Sequence, residues 1–221
     1  IVISVGGDGT MLYSVHKYID AIDRVAFIGI HTGTLGFLTD YQRDEYLQLV
    51  LDIQNEQHRI YERHLLEVSC LEGIYFALNE VRIENNRRSQ VMDVYINDEY
   101  FETFRGNGLC VSTPVGSTAY NKSLGGAVIN TCTGLMQLSE IAGIHHNAYR
   151  SLGSSLILDQ SHTIRFQSQS YQGAILGVDH LVIDLKDKDC ICVKMSSKKA
   201  RFLQYRNVSF TQRLKRAYLN S

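Results

Sequence analysis

Two largely apolar runs near the start of this chain, Ile1-Val2-Ile3-Ser4-Val5 and Val25-Ala26-Phe27-Ile28-Gly29-Ile30, set the tightest limit on its fold. Continuous runs of this length suit strands buried on both faces of a parallel sheet. Between them, Met11, Leu12 and Val15 fall on one face of a helix. The order strand, helix, strand is a βαβ unit, and its first turn is Gly6-Gly7-Asp8-Gly9-Thr10. Glycines there permit a tight turn and bring backbone N–H groups close to a phosphate at a helix N-terminus. Asp8 is the only negative side chain in this anion-friendly turn, which points to a carboxylate acting on a hydroxyl or a metal rather than binding phosphate. The second strand runs into His31-Thr32-Gly33-Thr34-Leu35-Gly36-Phe37, and ligands of open α/β sheets bind at that carboxyl edge.

At 221 residues and 44% apolar content, the chain can bury a core in one large or two modest domains. Lys+Arg 22 against Asp+Glu 23 leaves a formal charge of -1, so neither nucleic acid nor a membrane is expected as partner. Cys70, Cys110, Cys132, Cys190 and Cys192 lack paired metal spacing and read as reduced thiols, with no metal site. No basic-then-apolar leader opens the sequence and no run is long enough to span a bilayer, so a soluble, cytoplasmic protein is expected. The sequence opens inside a strand, and a portion preceding Ile1 is therefore expected.

Thr39-Asp40-Tyr41-Gln42 has the form of a capping box, and Tyr46, Leu47, Leu49, Val50 and Ile53 continue at helical spacing, predicting a helix over 41–54. From Arg59 the character changes to strands at 59–71, 74–78, 81–84 and 91–96, with Asn97-Asp98 as a turn and 100–104 as the return strand. A strand at 108–112 leads into a turn and short helix over 113–121. Leu135, Leu138, Ile141 and Ala142 predict a further helix. Strands follow at 163–166, 181–184, 191–195 and 202–205, and a basic helix with Leu214 and Tyr218 on one side closes the chain. The expected organisation is an α/β Rossmann-like domain over 1–56, incomplete at its N-terminus, a mainly β dinucleotide-binding domain over 57–205, and a tail over 206–221 packing back on the first domain.

Further stretches carry chemistry. In Ser112-Thr113-Pro114-Val115-Gly116-Ser117-Thr118-Ala119-Tyr120-Asn121-Lys122-Ser123, a stiffened turn offers N–H groups and small hydroxyls at a helix start, and Tyr120 adds a ring for stacking. Asn79-Glu80 places an amide beside a carboxylate, a pair suited to the vicinal hydroxyls of a ribose, although a lone dipeptide of this kind is usually a turn. Gly177-Val178-Asp179-His180 sets a polar pair between apolar strands, where a histidine is more often structural than catalytic.

Taken together in this order, the GGDGT turn at 6–10, Asn79-Glu80 and the stretch 113–120 resemble the ATP-NAD kinase family, particularly its bacterial members, over essentially the whole chain. The resemblance implies transfer of the terminal phosphoryl group of ATP, or of polyphosphate, to the adenosine 2′-hydroxyl of NAD to make NADP, with Mg²⁺ assisting. It implies Asp8 as the general base, with Gly7, Gly9 and Thr10 forming the phosphate turn and Asn79 and Glu80 holding the ribose. Thr118, Ala119, Tyr120 and Ser123 would line the dinucleotide site with Asp179 and His180, Arg105 and Asn107 would be nearby polar positions, and Ala142 would face the pocket from its helix. A homodimer or homotetramer is also implied. The chain departs from the family pattern at Arg105-Gly106-Asn107-Gly108-Leu109, where an Asp is usual at the third position, at Thr34, where His or Asn is expected, and at Asn130-Thr131, where His-Pro is common.

Lipid kinases of the diacylglycerol and sphingosine type share the GGDGT turn, but there an Asn-Glu pair follows almost at once, whereas here Met11-Leu12-Tyr13 follows. A dinucleotide-binding regulator without catalysis is the other alternative; Asp8 argues against it and Asn107 for it.

Overall fold

Parallel strands and the helices between and after them account for the N-terminal unit. A computed structural model of the chain describes residues 1–33, 36–55, 57–147 and 149–219, so Thr34 lies outside the described residues. In chain order the elements are β1 (Val2–Val5), α1 (Asp8–Lys17), β2 (Phe27–His31), β3 (Tyr41–Gln42), α2 (Tyr46–Gln54), β4 (Arg59–Cys70), β5 (Gly73–Ala77), β6 (Glu80–Glu84), β7 (Gln90–Ile96), β8 (Glu99–Gly106), β9 (Gly108–Ser112), α3 (Tyr120–Ser123), β10 (Leu135–Ile141), β11 (Leu156–Asp159), β12 (Thr163–Gln167), β13 (Ile175–Val178), β14 (Leu181–Asp184), β15 (Cys190–Gln204) and α4 (Phe210–Tyr218). They form two compact units, Ile1–Arg63 with Lys198–Ser221, and His64–Ser197.

In the first unit β1, β2 and β3 are parallel, with Val2 opposite Phe27 and Ile30 opposite Tyr41, and Phe202 of β15 pairs with Phe27 in parallel. Ile28, Ile30, Tyr41, Leu49 and Leu203 make its core. β2 is buried at every residue, as its apolar run requires. β1 departs from the same expectation: Ile3 is 49% and Val5 58% exposed, while Ser4 is buried. The reason is one-sided cover, because α1 lies on the Ser4 face, with the Ser14 hydroxyl donating to Ser4 Oγ at 3.3 Å. The helix expected over 41–54 is also shorter. Tyr41 and Gln42 pair as a strand, a 3₁₀ turn follows over Arg43–Glu45, and the capping box is built three residues later, with the Gln42 N–H donating to Glu45 Oε2 at 2.7 Å. α4 docks within this unit: Phe37 and Tyr218 rings lie 5.7 Å apart.

The second unit is a sandwich of antiparallel sheets. One sheet runs β11-β10-β9-β6-β13-β14, and the other joins the first part of β15 to β12, β7 and β8, with β4 and β5 paired as a hairpin. Inward residues of both, among them Val81, Ile83, Leu109, Val111, Met92, Phe104, Phe166 and Val193, form the core. The β7–β8 hairpin turns on Asn97 and Asp98, whose φ values of 50° and 64° fit the turn expected there.

The segment predicted as a helix around 135–142 is strand β10. Its apolar residues are three apart because both faces are buried: Met136 and Leu138 face the core, while Gln137 and Ser139 face a buried polar network, so polarity no longer reports which side is solvent. Strands expected separately at 191–195 and 202–205 are one continuous β15, and β11 and β13 were not foreseen.

Candidate active site

In the first unit Gly7 is the N-cap of α1 and Asp8 its first residue, and no side chain caps the helix. The Thr10 N–H donates to the Gly7 carbonyl at 3.0 Å, and the amides that precede it at this helix start are the ones that suit an anion. The Asp8 carboxylate is held by two backbone donors: the Phe37 N–H to Oδ2 at 2.8 Å and the Leu38 N–H to Oδ1 at 3.0 Å. Each oxygen keeps a further lone pair. Gly36 makes this approach possible, since a Cβ there would lie 2.1 Å from Asp8 Oδ1. The Thr10 side chain folds over Gly6, where a Cβ would lie 2.2 Å from Thr10 Oγ1, whereas a Cβ on Gly9 would meet nothing within 4 Å. Gly9 is thus not demanded by packing among the described residues. Buried His31 accepts the Gly33 N–H on Nδ1 at 2.9 Å.

In the second unit Asn79 links β5 to β6, and Glu80 opens β6. Asp179 follows β13 in a left-handed bend, with φ 51°. Its carboxylate accepts three backbone N–H groups, from Leu78 to Oδ2 at 2.7 Å and from Asn79 and Glu80 to Oδ1 at 2.8 and 3.1 Å. The stretch after β9 is tied to the same turn: the Thr113 N–H donates to the Asn79 carbonyl at 2.8 Å, and the Thr113 hydroxyl to the Leu78 carbonyl at 2.6 Å. A Cβ on Gly116 would lie 2.0 Å from the Asn79 carbonyl oxygen, so only glycine allows this contact.

Glu80 is 7% exposed, and its Oε2 has no hydrogen-bond partner among the described residues. Burial, then the Asp179 charge, push its carboxyl up to about 7, while Arg82 opposes and Glu84 adds to the rise. Glu80, Arg82 and Glu84 alternate on one face of β6, and Arg82 lies under the Tyr120 ring at 5.3 Å with an ion pair to Glu84 at 2.7 Å. Gly177 admits this guanidinium, since a Cβ there would lie 2.9 Å from Arg82 Nη2. Among the described residues neither Arg82 Nε nor the Oγ of Ser112, which pairs with Glu80 on the neighbouring strand, has a hydrogen-bond partner. Arg82 and Glu84 were not anticipated, although the alternation of charges from Glu80 along a strand is a legible signal.

Thr118 is buried and its hydroxyl donates to the Val115 carbonyl at 3.0 Å; Ala119 and Tyr120 are half-buried, and Ser123 and His180 are exposed. Asn121, fully buried, fixes this stretch by accepting from Ser139 Oγ at 2.9 Å and from the Gln137 amide. Thus Asn79, Glu80, Asp179 and the stretch 113–120 come together. Arg105, Asn107 and Ala142 lie elsewhere, at the opposite end of β9, roughly 17 Å of strand away. Arg105 stacks on Tyr149 at 4.1 Å and lines a polar cleft of about 460 Å³ with Arg88 and Asp93. Asn107 Nδ2 donates to the Asn85 carbonyl at 3.0 Å, a bond that an Asp carboxylate could not make. Ala142 is on no helix; it is exposed in a left-handed bend, with φ 46°.

Among the described residues no cluster of three or more His, Cys, Asp or Glu side chains could hold a metal. A lone carboxylate beside open helix amides fits Mg²⁺ only as an ion that keeps water and substrate phosphates as its main ligands.

Residues 1–58 match the family model of the ATP-NAD kinase N-terminal domain, and residues 78–205 that of the ATP-NAD kinase C-terminal domain. NAD kinase 1 of Bacillus subtilis (strain 168) is 43% identical over 225 residues, covering 99% of this chain and 85% of the relative. The NAD kinase of Staphylococcus aureus (strain Newman) is 40% identical over 228 residues, covering 100% and 85%. Two solved structures share the fold. Yeast NADH kinase complexed with NADH matches with a TM-score of 0.86 at 23% identity, over 99% of this chain and 66% of the yeast one. An NAD kinase from Archaeoglobus fulgidus in complex with ATP matches with a TM-score of 0.73 at 22% identity, over 97% and 78%.

Proposed function

The chain belongs to the ATP-NAD kinase family, and on that premise we propose that it transfers the terminal phosphoryl group of ATP to the adenosine 2′-hydroxyl of NAD, yielding NADP and ADP. The observation that carries this reading is the Asp8 carboxylate, oriented by the Phe37 and Leu38 amides at a helix start that no side chain caps. Gly7, Gly9 and Thr10 leave the amides of that turn facing donor phosphate. Asp8 takes the proton of the 2′-hydroxyl; the freed oxygen bonds to the terminal phosphorus as the bond to the ADP oxygen breaks, and ADP leaves. Mg²⁺, bound with the donor phosphates, would offset their charge. Asn79 and Glu80 hold the acceptor ribose, and Thr118, Ala119, Tyr120, Ser123 and His180 line the dinucleotide. Asp179 contributes by shaping the Asn79–Glu80 turn, since its oxygens are already engaged by backbone amides.

The active form is a homodimer or homotetramer in the cytoplasm. Exposed Ile3, Val5, Leu47, Val50 and Leu51 in the first unit favour association, and the five free cysteines favour a reducing compartment. ADP release measured with ATP, Mg²⁺ and NAD tests the reading, with a diacylglycerol acceptor as comparison. NAD-dependent release is expected; binding of NAD without ADP release would overturn it in favour of a regulator.

A further inference from the structure

The basic helix α4, which the proposed chemistry leaves without a part, is joined to Asp8 through a single peptide group. The Phe37 carbonyl accepts from Arg213 Nη1 at 3.1 Å, and the N–H of the same peptide group, that of Leu38, donates to Asp8 Oδ1 at 3.0 Å. The other arm of the Arg213 fork, Nη2, pairs with Asp40 Oδ1. The two side chains are only 16% and 10% exposed. The Tyr218 ring, further along α4, packs on the Phe37 ring at 5.7 Å. On either side of that peptide, the 36–40 segment is fastened by the Phe37 N–H to Asp8 Oδ2 at 2.8 Å and by the Asp40 N–H to the Gly29 carbonyl of β2 at 3.3 Å. A planar guanidinium suits this task, because its two donors diverge at a fixed angle and lose little freedom on binding.

We propose that Arg213 is a positioning residue for Asp8: by gripping the Phe37 carbonyl and the Asp40 carboxylate, it fixes the peptide whose N–H aims the Asp8 carboxylate. Without that grip the segment retains its bond to β2 at Asp40, but the Phe37–Leu38 peptide is free to rotate and carry the Leu38 N–H away from Asp8 Oδ1. Asp8 then keeps its place on α1 and loses its orientation. Orientation acts on the reacting geometry more than on binding, so the effect falls on kcat and leaves KM nearly alone. The inference rests on the reading of Asp8 as the base, and its test separates the two.

The test compares the unmutated chain with Arg213→Met, Arg213→Lys, Asp8→Asn and the double variant Asp8→Asn with Arg213→Met, each first checked for cooperative thermal unfolding. Loss of a hydrogen bond to a charged group corresponds to about tenfold. Arg213→Met is therefore expected to lower kcat about tenfold with KM for NAD within about twofold, and Arg213→Lys, which keeps a charged donor group but not the diverging fork, to recover part of the loss. In the Asp8→Asn background Arg213→Met is expected to cost nothing further, because residues acting through one another are not additive. Amide hydrogen exchange, which needs no turnover, is expected to speed up at Phe37 and Leu38 in Arg213→Met. Folded Arg213→Met with unchanged kcat, losses that add in the double variant, or unchanged exchange at Phe37 and Leu38 would each overturn the proposal. Should the unmutated chain release no ADP, the functional reading fails and the exchange comparison alone decides whether Arg213 positions Asp8.

Discussion

The turn that carries Asp8 and the turn that carries Asn79 and Glu80 solve the same problem with opposite uses of a carboxylate. Asp8 accepts two amides, from Phe37 and Leu38, and sits half-buried at an uncapped helix start. Asp179 accepts three amides, is 6% exposed and stands in a left-handed bend. The first carboxylate is oriented at a helix start, the position from which the proposed chemistry has it act. The second is engaged in shaping backbone, and its neighbour Glu80 keeps an Oε2 with no hydrogen bond among the described residues. Asparagine tolerates a left-handed bend and still offers one acceptor oxygen, so a carboxylate used for shape should be more replaceable than one used for chemistry.

The largest effect expected from this contrast is therefore at Asp8. Asp8→Asn should lower turnover by ~10²–10⁴-fold, the usual worth of a general base, while NAD binding measured by calorimetry stays within a few-fold. Asp179→Asn should cost turnover far less; equal losses at both positions would break the comparison.

Glu80 supplies the next test. Its carboxyl ionises near 4.5 ordinarily and near 7 in the fold, so the folded state holds the proton more tightly. The stability this gives is fully present below about pH 4.5 and is lost as pH rises to about 7, by roughly 3 kcal/mol. Glu80→Gln should flatten that part of the stability profile, as followed by urea unfolding across this window. A variant with the unmutated slope would show that Glu80 is not the group responsible.

Smaller changes probe the glycines that let each turn close. Gly36→Ala presses a methyl on Asp8 Oδ1 and Gly116→Ala presses one on the Asn79 carbonyl, at 2.1 and 2.0 Å. Each should destabilise by ~1–3 kcal/mol in denaturant unfolding, with turnover falling beyond what instability explains. The smallest effect is expected at Gly9. With open space around it inside the first turn of α1, Gly9→Ala should raise stability by ~0.4–1 kcal/mol. If donor phosphate lies against that turn, the same methyl should raise KM for ATP; an unchanged KM would place the phosphate elsewhere.

Much of this was legible beforehand. The glycine turn between an apolar run and a helical pattern located α1 and Asp8, and Asn97-Asp98 located a hairpin, because in these places side-chain period and turn chemistry agree. Reading failed where both faces of an element are buried, as in β10, whose polar residues Gln137 and Ser139 serve Asn121 rather than solvent. It also failed at Ala142, which was placed on a helix that is a strand followed by a bend. Arg105, Asn107 and Ala142 fall next to the other candidates by resemblance but at the far end of β9 in space, since a strand separates its two ends by its whole length.

The sequence by itself determined the βαβ opening, the residues able to do chemistry and the family they belong to, because residue types and their period are written in order along the chain. Which backbone amides each carboxylate accepts is visible in the tertiary structure alone. The amides that aim Asp8 lie 29 and 30 positions away, the arginine that pairs with Asp40 beneath them lies 173 positions away, and Asp179 reaches back 101 positions to Leu78. Backbone N–H groups are the same at every non-proline residue, so a carboxylate that binds them leaves no trace in the pattern of side chains.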